Sequence, residues 1–180
     1  NRVNLERFGD EIEFIPADLT KKETLKAAVK DMNVVFHPAA LFSYSAPMEL
    51  LRAVNVEGTK NLIEASMDAG LEKMVMWSSV AIYGTADKKV YDIPITEDQE
   101  LNEDCEGKYD LSKREQEATA MEYHETQGFP VTAMRPAPIY GPGSYYGIYT
   151  LFKYVQQASL PACPRNMHKK NITLVHAEDV

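Results

Sequence analysis

The sequence is poor in cysteine, in positive charge and in long apolar runs. Only two cysteines, Cys105 and Cys163, occur among 180 residues, which is too few for a disulfide-built secreted domain, and they lack the spacing of a zinc site. Lys and Arg number 19 against 27 Asp and Glu, for a formal net charge of −8. No cationic excess therefore exists to neutralise nucleic-acid phosphates. No apolar run approaches the ~18 residues that cross a bilayer. These shortages predict a protein of the reducing cytoplasm, without a metal site and with neither nucleic acid nor a membrane as partner.

What the chain does have is an alternation of short apolar runs and longer amphipathic stretches, and 44% of its residues are hydrophobic, enough for a core. This alternation is typical of an α/β fold, in which helices cover a parallel sheet. Thr20 is predicted to cap the first helix by accepting a hydrogen bond from the amide of Glu23. We predict strands at 11–15, 33–36, 73–77, 131–134 and 172–175, and helices at 20–30, 47–69, 109–127 and 148–157.

The carboxyl ends of the predicted strands are the expected place for a ligand, because open α/β sheets bind ligands at that edge. Four of these ends carry the segments 16–18, 37–40, 78–79 and 135–137. Each of these segments is a candidate wall of a pocket.

Tyr109 and Lys113 form a Tyr-x-x-x-Lys motif at the start of a predicted helix, 30 residues after Ser79. A spacing of four stacks the two side chains on one face of a helix. A cation near a phenol lowers the phenol pKa from about 10. We therefore expect Tyr109 to exchange a proton with a substrate hydroxyl near neutral pH.

Several further motifs accompany this pair, and their order and spacing resemble those of the extended short-chain dehydrogenase/reductase family, which includes NAD-dependent sugar-nucleotide epimerases and dehydratases. The resemblance spans nearly the whole chain and implies a Rossmann-type, doubly wound parallel sheet. The motifs that carry it are Asp18-Leu19-Thr20, His37-Pro38-Ala39-Ala40, Asn55-Val56-Glu57-Gly58-Thr59, Ser78-Ser79 to Tyr83-Gly84, Tyr109 to Lys113, Arg135-Pro136, Tyr140-Gly141-Pro142-Gly143, and Val175-His176 with Asp179-Val180.

The resemblance implies a catalytic set. Tyr109 would be the acid/base, and Lys113 would bind the nicotinamide ribose while lowering the pKa of Tyr109. Ser79 would hydrogen-bond the substrate oxygen. Hydride leaves a secondary alcohol for nicotinamide only as the hydroxyl proton goes to a base, so these roles agree with the chemistry. The implied cofactor is NAD, with NADP left open.

The resemblance also implies contacts with the cofactor, and several have a structural alternative. Asp18 would accept from the adenine amino group or form an Asx turn. Asn55 would bind loop backbone or a relay water, or be an exposed helix residue. Pro136 would face the nicotinamide carboxamide or form a rigid turn, and His37 is expected to be structural. The implied cofactor-binding residues are Asp18, Ala39, Ala40, Asn55, Ser78, Tyr109, Lys113 and Pro136.

Other features depart from the family pattern. A Gly-rich pyrophosphate loop is expected before residues 1–5, so we expect the chain to be a partial dinucleotide-binding domain, truncated at both ends, in which 136–180 begin the substrate-binding region. Such a chain should bind a dinucleotide poorly. Val80 and Ala81 occupy the positions of the Asp-Glu pair of the dehydratases, so 4,6-dehydration is not expected.

The expected function is therefore reversible hydride transfer at a secondary alcohol or ketone carbon, with a sugar nucleotide as the first substrate class. Pro138 replaces an asparagine common in sugar-nucleotide epimerases, so hydroxysteroid or dihydroflavonol reductases remain as an alternative. A non-catalytic scaffold is a third possibility. The helices at 47–69 and 109–127 resemble the family's dimer-forming pair, which predicts a homodimer.

Overall fold

The computed structural model describes residues 3–84, 95–101, 107–145, 147–157 and 173–180. Cys105 and Cys163 lie outside these residues. The helices are α1 (Lys22–Val29), α2 (Met48–Leu51), α3 (Gly58–Asp68), α4 (Lys108–Gln127) and α5 (Ile148–Gln156), with 3₁₀ helices at Val3–Glu11 and Val80–Tyr83 and a π-helical segment at Arg52–Glu57. The strands are β1 (Val34–His37), β2 (Lys73–Trp77), β3 (Val131–Met134), β4 (Ile139–Tyr140) and β5 (Val175–His176).

A parallel sheet in the order β1-β2-β3 positions the rest of the fold. Val34 lies opposite Lys73, and Met74 lies opposite Val131. The core packs between this sheet and α1, α3 and α4, and its buried members are Leu25, Val29, Leu62, Ile63, Ala65, Leu71, Met74, Met76, Ala120 and Phe129. The expected α/β fold with a parallel sheet is confirmed, and in the described part of the chain no helix is long and apolar enough to cross a membrane.

The helix predicted at 47–69 is one continuous helical run from Met48 to Asp68 with a π-helical segment in its middle. Gly58, which opens α3, is required by close packing, since a Cβ there would lie 2.8 Å from Cβ of Leu19. The π segment widens the helix around the buried Asn55. Wide turns of this kind are frequent at functional sites.

The strand predicted at 11–15 is wrong. Residues 3–11 form two short 3₁₀ turns separated by a kink at Gly9, and Ile12 and Phe14 are exposed in irregular chain. A strand needs a partner for its backbone N–H and C=O groups, and no described strand pairs with this segment. Apolar alternation alone does not supply that partner.

The predicted capping box is also wrong. Helix α1 begins at Lys22, and the Thr20 hydroxyl donates to Oδ1 of Asp18 at 2.8 Å rather than accepting from Glu23. The last predicted strand begins outside the described residues and ends in β5, which pairs in parallel with β4. Strand β4 lies outside all five predicted strands.

Candidate active site

The carboxyl end of β2 brings together most of the predicted catalytic groups. The amide of Ser78 donates to the Met134 carbonyl at 2.7 Å, which continues the pairing of β2 with β3. Ser79 has an extended backbone, and its Oγ accepts from the amide of Ala81 at 3.1 Å, capping the 3₁₀ helix at Val80–Tyr83. This cap fixes the half-buried Ser79 hydroxyl at the edge where ligands bind in such sheets.

Ser78 carries a buried hydroxyl that no described residue bonds. The residue is 4% exposed, and within the described part of the chain its Oγ has no hydrogen-bond partner. A buried hydroxyl is costly to leave unpaired. Ser78 is therefore a candidate contact for a bound ligand.

Lys113 reaches the same strand end from α4. Its Nζ donates to the Trp77 carbonyl at 2.6 Å and to Oε1 of Gln116. Only 2% of the residue is exposed. This burial lowers the pKa of Lys113 to about 8, and the Glu117 carboxylate opposes the shift. A buried ammonium of this kind can lose its proton within the range of ordinary assays.

Tyr109, one helical turn earlier, lies among aromatic rings. The ring of Phe42 meets it edge-on at 4.8 Å between centroids, and that of Tyr44 does so at 5.9 Å. We call Phe42, Tyr44 and Tyr109 the aromatic cluster. Phe42 and Tyr44 are 39% and 70% exposed, so the cluster is open to solvent on one side.

The expectation that Lys113 lowers the pKa of Tyr109 is wrong for this structure. Burial raises the pKa of Tyr109 to about 12, and Tyr44 and Asp110 add to the shift. The reason is geometric, because the Lys113 ammonium donates to Trp77 and Gln116. In this state Tyr109 holds its proton at neutral pH.

Asn55 joins the aromatic cluster to α4. Its fully buried amide accepts from the Leu41 N–H at 2.7 Å and donates to the Leu41 carbonyl at 3.2 Å and to Ser112 Oγ at 3.0 Å. The Ser112 hydroxyl donates in turn to the Tyr109 carbonyl at 2.7 Å. The predicted bond to loop backbone is confirmed, and the alternative of an exposed helix residue is wrong.

Behind Lys113, Gln116 and Thr59 lead to His37, and we call these four residues the buried polar chain. Gln116 Nε2 donates to Thr59 Oγ1 at 2.7 Å, and Thr59 Oγ1 lies 2.8 Å from His37 Nε2. Burial lowers the pKa of His37 to about 4, and the Lys113 charge adds to the shift. His37 is thus a neutral residue held inside the protein, in line with its expected structural role.

The remaining predicted cofactor residues differ in how they relate to this site. The Pro136 carbonyl accepts from the amide of Val80 at 3.2 Å, which places it beside Ser79. Asp18 is exposed, and its Oδ1 accepts from the Thr20 amide at 2.9 Å and from the Thr20 hydroxyl. These bonds form an Asx turn and lower the pKa of Asp18.

Ala39 and Ala40 follow β1, where Ala39 is exposed and Ala40 half-buried. They therefore lie at the carboxyl edge of the sheet, like Ser78 and Ser79. Among the described residues, Asp18 bonds only to residues 20–24, so no contact joins it to the residues at the carboxyl end of β2.

The sequence analysis gave no supporting role to several residues that hold this site together. Arg135 binds the Glu117 carboxylate through Nε at 3.0 Å and Nη2 at 2.5 Å, and its Nη1 donates to the Tyr83 hydroxyl at 2.6 Å. The composition of α4 could have indicated these contacts, because most residues on its buried face are polar: Ser112, Lys113, Gln116 and Glu117. A buried polar helix face requires partners.

The sheet, its covering helices and the group at the carboxyl end of β2 define a Rossmann-type protein of the short-chain dehydrogenase/reductase class. The chain belongs to the NAD dependent epimerase/dehydratase family, whose model matches residues 1–179. NAD is the cofactor of that family. The predicted family, fold class and cofactor are confirmed.

Individual relatives act on different substrates. UDP-glucose 4-epimerase of Vibrio cholerae is 27% identical over 174 residues, which are 93% of this chain and 52% of the epimerase. The decarboxylating sterol-4-alpha-carboxylate 3-dehydrogenase of Bos taurus is 33% identical over 140 residues, 73% of this chain and 36% of that enzyme. The chain thus spans about half the length of these curated relatives, or less.

A solved structure shares the fold. DesIV, the dTDP-glucose 4,6-dehydratase of Streptomyces venezuelae, crystallised with NAD bound, superposes with a TM-score of 0.81 at 24% identity. The match covers 99% of this chain and 56% of DesIV. At this identity the likeness shows the fold.

Proposed function

We propose that the polypeptide carrying this chain is an NAD-dependent enzyme that transfers hydride reversibly at a secondary alcohol or ketone carbon of a sugar nucleotide, as an epimerase does. The observation that carries the proposal is the group at the carboxyl end of β2. There the Ala81 amide holds the Ser79 hydroxyl directly after β2, and the Lys113 ammonium donates to the carbonyl of Trp77, the last residue of β2. Tyr109 lies one helical turn before Lys113.

The residues at this edge fit a bound dinucleotide. Ser78 offers a buried, unbonded hydroxyl, and the small side chains of Ala39 and Ala40 leave room at the end of β1. NAD would supply the hydride acceptor and, in its oxidised form, a positively charged ring. Ser78, Lys113 and Pro136 are the residues that we expect to hold it.

The protein's own part in the reaction is to move one proton. We assign Tyr109 as the group that takes the hydroxyl proton when the carbinol is oxidised and returns it when the ketone is reduced. Ser79 would donate to the same oxygen and stabilise its developing charge. Burial raises the pKa of Tyr109 to about 12, so at neutral pH the phenol carries the proton that reduction of the ketone requires. A cation near the phenol is needed for it to act as a base at neutral pH.

Water loss from the sugar is not part of this proposal. Val80 and Ala81 follow Ser79 in the 3₁₀ helix, and neither side chain can donate or accept a proton. Dehydration needs an additional acid and base beside the reacting carbons. We therefore propose epimerisation or oxidation rather than 4,6-dehydration.

A second candidate is the oxidation or reduction of an apolar alcohol or ketone. The exposed rings of Phe42 and Tyr44 beside Tyr109 support it, because apolar surface next to the reacting group favours an apolar substrate. Pro138, exposed beyond β3, offers no side-chain donor for a phosphate. The sterol dehydrogenase relative acts on a substrate of this class.

We also propose that the protein is a homodimer formed through the run from Met48 to Asp68 and α4. These two elements pack together, and Leu50 is exposed on the first of them. Sedimentation of the polypeptide should give twice the monomer mass. A monomer across the accessible concentration range would refute this part of the proposal.

The enzymatic proposal can be tested with two panels of substrates. NAD binding is measured first, and candidate sugar nucleotides and apolar alcohols are then added while the fluorescence of reduced nicotinamide is followed. NMR of the sugar reports epimerisation, in which the reduced cofactor is only transient. Turnover of the apolar alcohols alone would support the second candidate function, the oxidation or reduction of an apolar substrate. NAD binding without turnover on either panel would leave a non-catalytic scaffold.

A further inference from the structure

The polar side chains of the buried polar chain are almost completely inaccessible to solvent. Its four members, His37 at the end of β1, Thr59 in α3, and Gln116 and Lys113 in α4, are each at most 2% exposed. Buried polar atoms are costly unless they are bonded, so each member needs its partner. The hydrogen-bond pattern within the chain is therefore strongly constrained.

The direction of these hydrogen bonds follows from Lys113. An ammonium can only donate, so the oxygen of the Gln116 amide must face it, and the amide nitrogen then donates to Thr59. The Thr59 proton is left to bond His37 Nε2 at 2.8 Å. His37 accepts it as a neutral ring protonated on Nδ1, in agreement with its pKa of about 4. Every bond thus points from Lys113 towards His37.

Few charges act on the Lys113 ammonium. His37 faces it from β1 and is neutral, and Glu117 on α4 is held by Arg135, which follows β3. β2 contributes the Trp77 carbonyl, and Thr59 of α3 is uncharged. Among the described residues, Gln116 supplies the one side-chain acceptor bonded directly to Lys113 Nζ.

We infer that Gln116 is a positioning residue, which Thr59 and His37 orient so that its amide oxygen holds the Lys113 ammonium at the carboxyl end of β2 and keeps it protonated. Gln116 acts through Lys113 and touches neither substrate nor cofactor in this role. The inference rests on the proposed function where catalysis is concerned. Its direct readout, the protonation of Lys113, does not depend on turnover.

The test replaces Gln116 with Met, which keeps the length of the side chain and removes the acceptor. The pKa of Lys113 is measured by NMR of its ¹⁵Nζ, assigned by its loss in Lys113→Met. We expect Gln116→Met to lower this pKa by roughly one unit, because a hydrogen bond to the charged form is lost. Gln127→Met, at the exposed end of the same helix, should leave it unchanged. In active protein, the alkaline limb of the pH–rate profile should move down by the same amount.

Gln116→Glu keeps the inference testable if Gln116→Met does not fold. Its carboxylate retains an acceptor and adds an opposite charge, so the pKa of Lys113 should rise above that of the parent. An unchanged Lys113 pKa in whichever of the two variants folds would overturn the inference. A shifted pKa in a protein without turnover would support the role of Gln116 while refuting the proposed activity.

Discussion

The aromatic cluster and the buried polar chain begin one helical turn apart on α4, at Tyr109 and Lys113. Aromatic rings surround the tyrosine, whereas hydrogen-bonding groups surround the lysine. Lys113 is at most 2% exposed, and its ammonium is bonded to a strand carbonyl and to Gln116. Tyr109 packs against Phe42 and Tyr44, which are partly open to solvent. Burial lowers the pKa of the lysine and raises that of the tyrosine, because in each case it disfavours the charged form. Two residues of one motif are thus both driven towards neutrality.

The largest expected effect comes from the aromatic side of this comparison. Tyr109→Phe keeps the ring packing and removes the hydroxyl, so we expect turnover to fall by about 10²- to 10⁴-fold with nearly unchanged NAD affinity. Steady-state kinetics and NAD titration measure the two quantities. Tyr123→Phe, which removes a hydroxyl bonded to Glu64 at the other end of α4, is the matched control and should keep full turnover. Full activity in Tyr109→Phe would show that another group carries the proton.

Lys113→Met removes the ammonium from the buried polar chain, and the effect of this substitution on stability depends on pH. The folded pKa of about 8 lies below the ordinary value of 10.5, so between these values the unfolded chain binds a proton that the folded chain lacks. Stability therefore rises with pH in this window. Lys113 should raise the free energy of unfolding by roughly 2 kcal/mol between pH 8 and pH 10. The window ends at pH 10, the ordinary tyrosine pKa, because above it the raised pKa of Tyr109 makes stability fall with pH.

Urea unfolding of parent and variant across this window measures the effect. The Lys113→Met variant should lose the rise, whereas Lys153→Met, at an exposed lysine of α5, should retain it. Equal pH dependence in the parent and in Lys113→Met would mean that the ammonium is not desolvated. The same variant should bind NAD more weakly and turn over more slowly, because Lys113 is assigned to both tasks.

Asn55→Ala should have a smaller effect, because it loosens the support of the aromatic cluster without touching the phenol. The substitution leaves the Leu41 N–H and C=O without their side-chain partner, at a cost of about 1–3 kcal/mol in unfolding free energy. Urea unfolding gives the cost, and hydrogen exchange of the Leu41 amide should become faster. Asn61→Ala, which removes one bond to the Leu19 carbonyl from the same helical run, should cost less. Unaltered exchange at Leu41 would contradict the role given to Asn55.

The sequence was sufficient for those parts of the molecule that local pattern determines. β2 and β3 have the predicted bounds, because a short apolar run is enough to predict a strand that pairs with neighbours in the sheet. The segment 11–15 failed because a strand also depends on a neighbour. The Tyr109–Lys113 spacing placed the two residues correctly on one helix but could not give the direction of a long lysine side chain, which bonds the Trp77 carbonyl. Gln116 was missed because its role appears only when Thr59 of a different helix is brought beside it.

The smallest effects concern what raises the pKa of Tyr109. Burial is the largest cause and Tyr44 the next, so removing a ring should matter more than removing a hydroxyl. Phe42→Ala should lower the pKa of Tyr109 by about one unit, and Tyr44→Phe, which keeps its ring, by only a few tenths. NMR of ¹³Cζ-labelled tyrosine follows both titrations, with the exposed Tyr145→Phe as control. If Tyr44→Phe had the greater effect, charge rather than desolvation would control the phenol, and the contrast with Lys113 would no longer rest on burial alone.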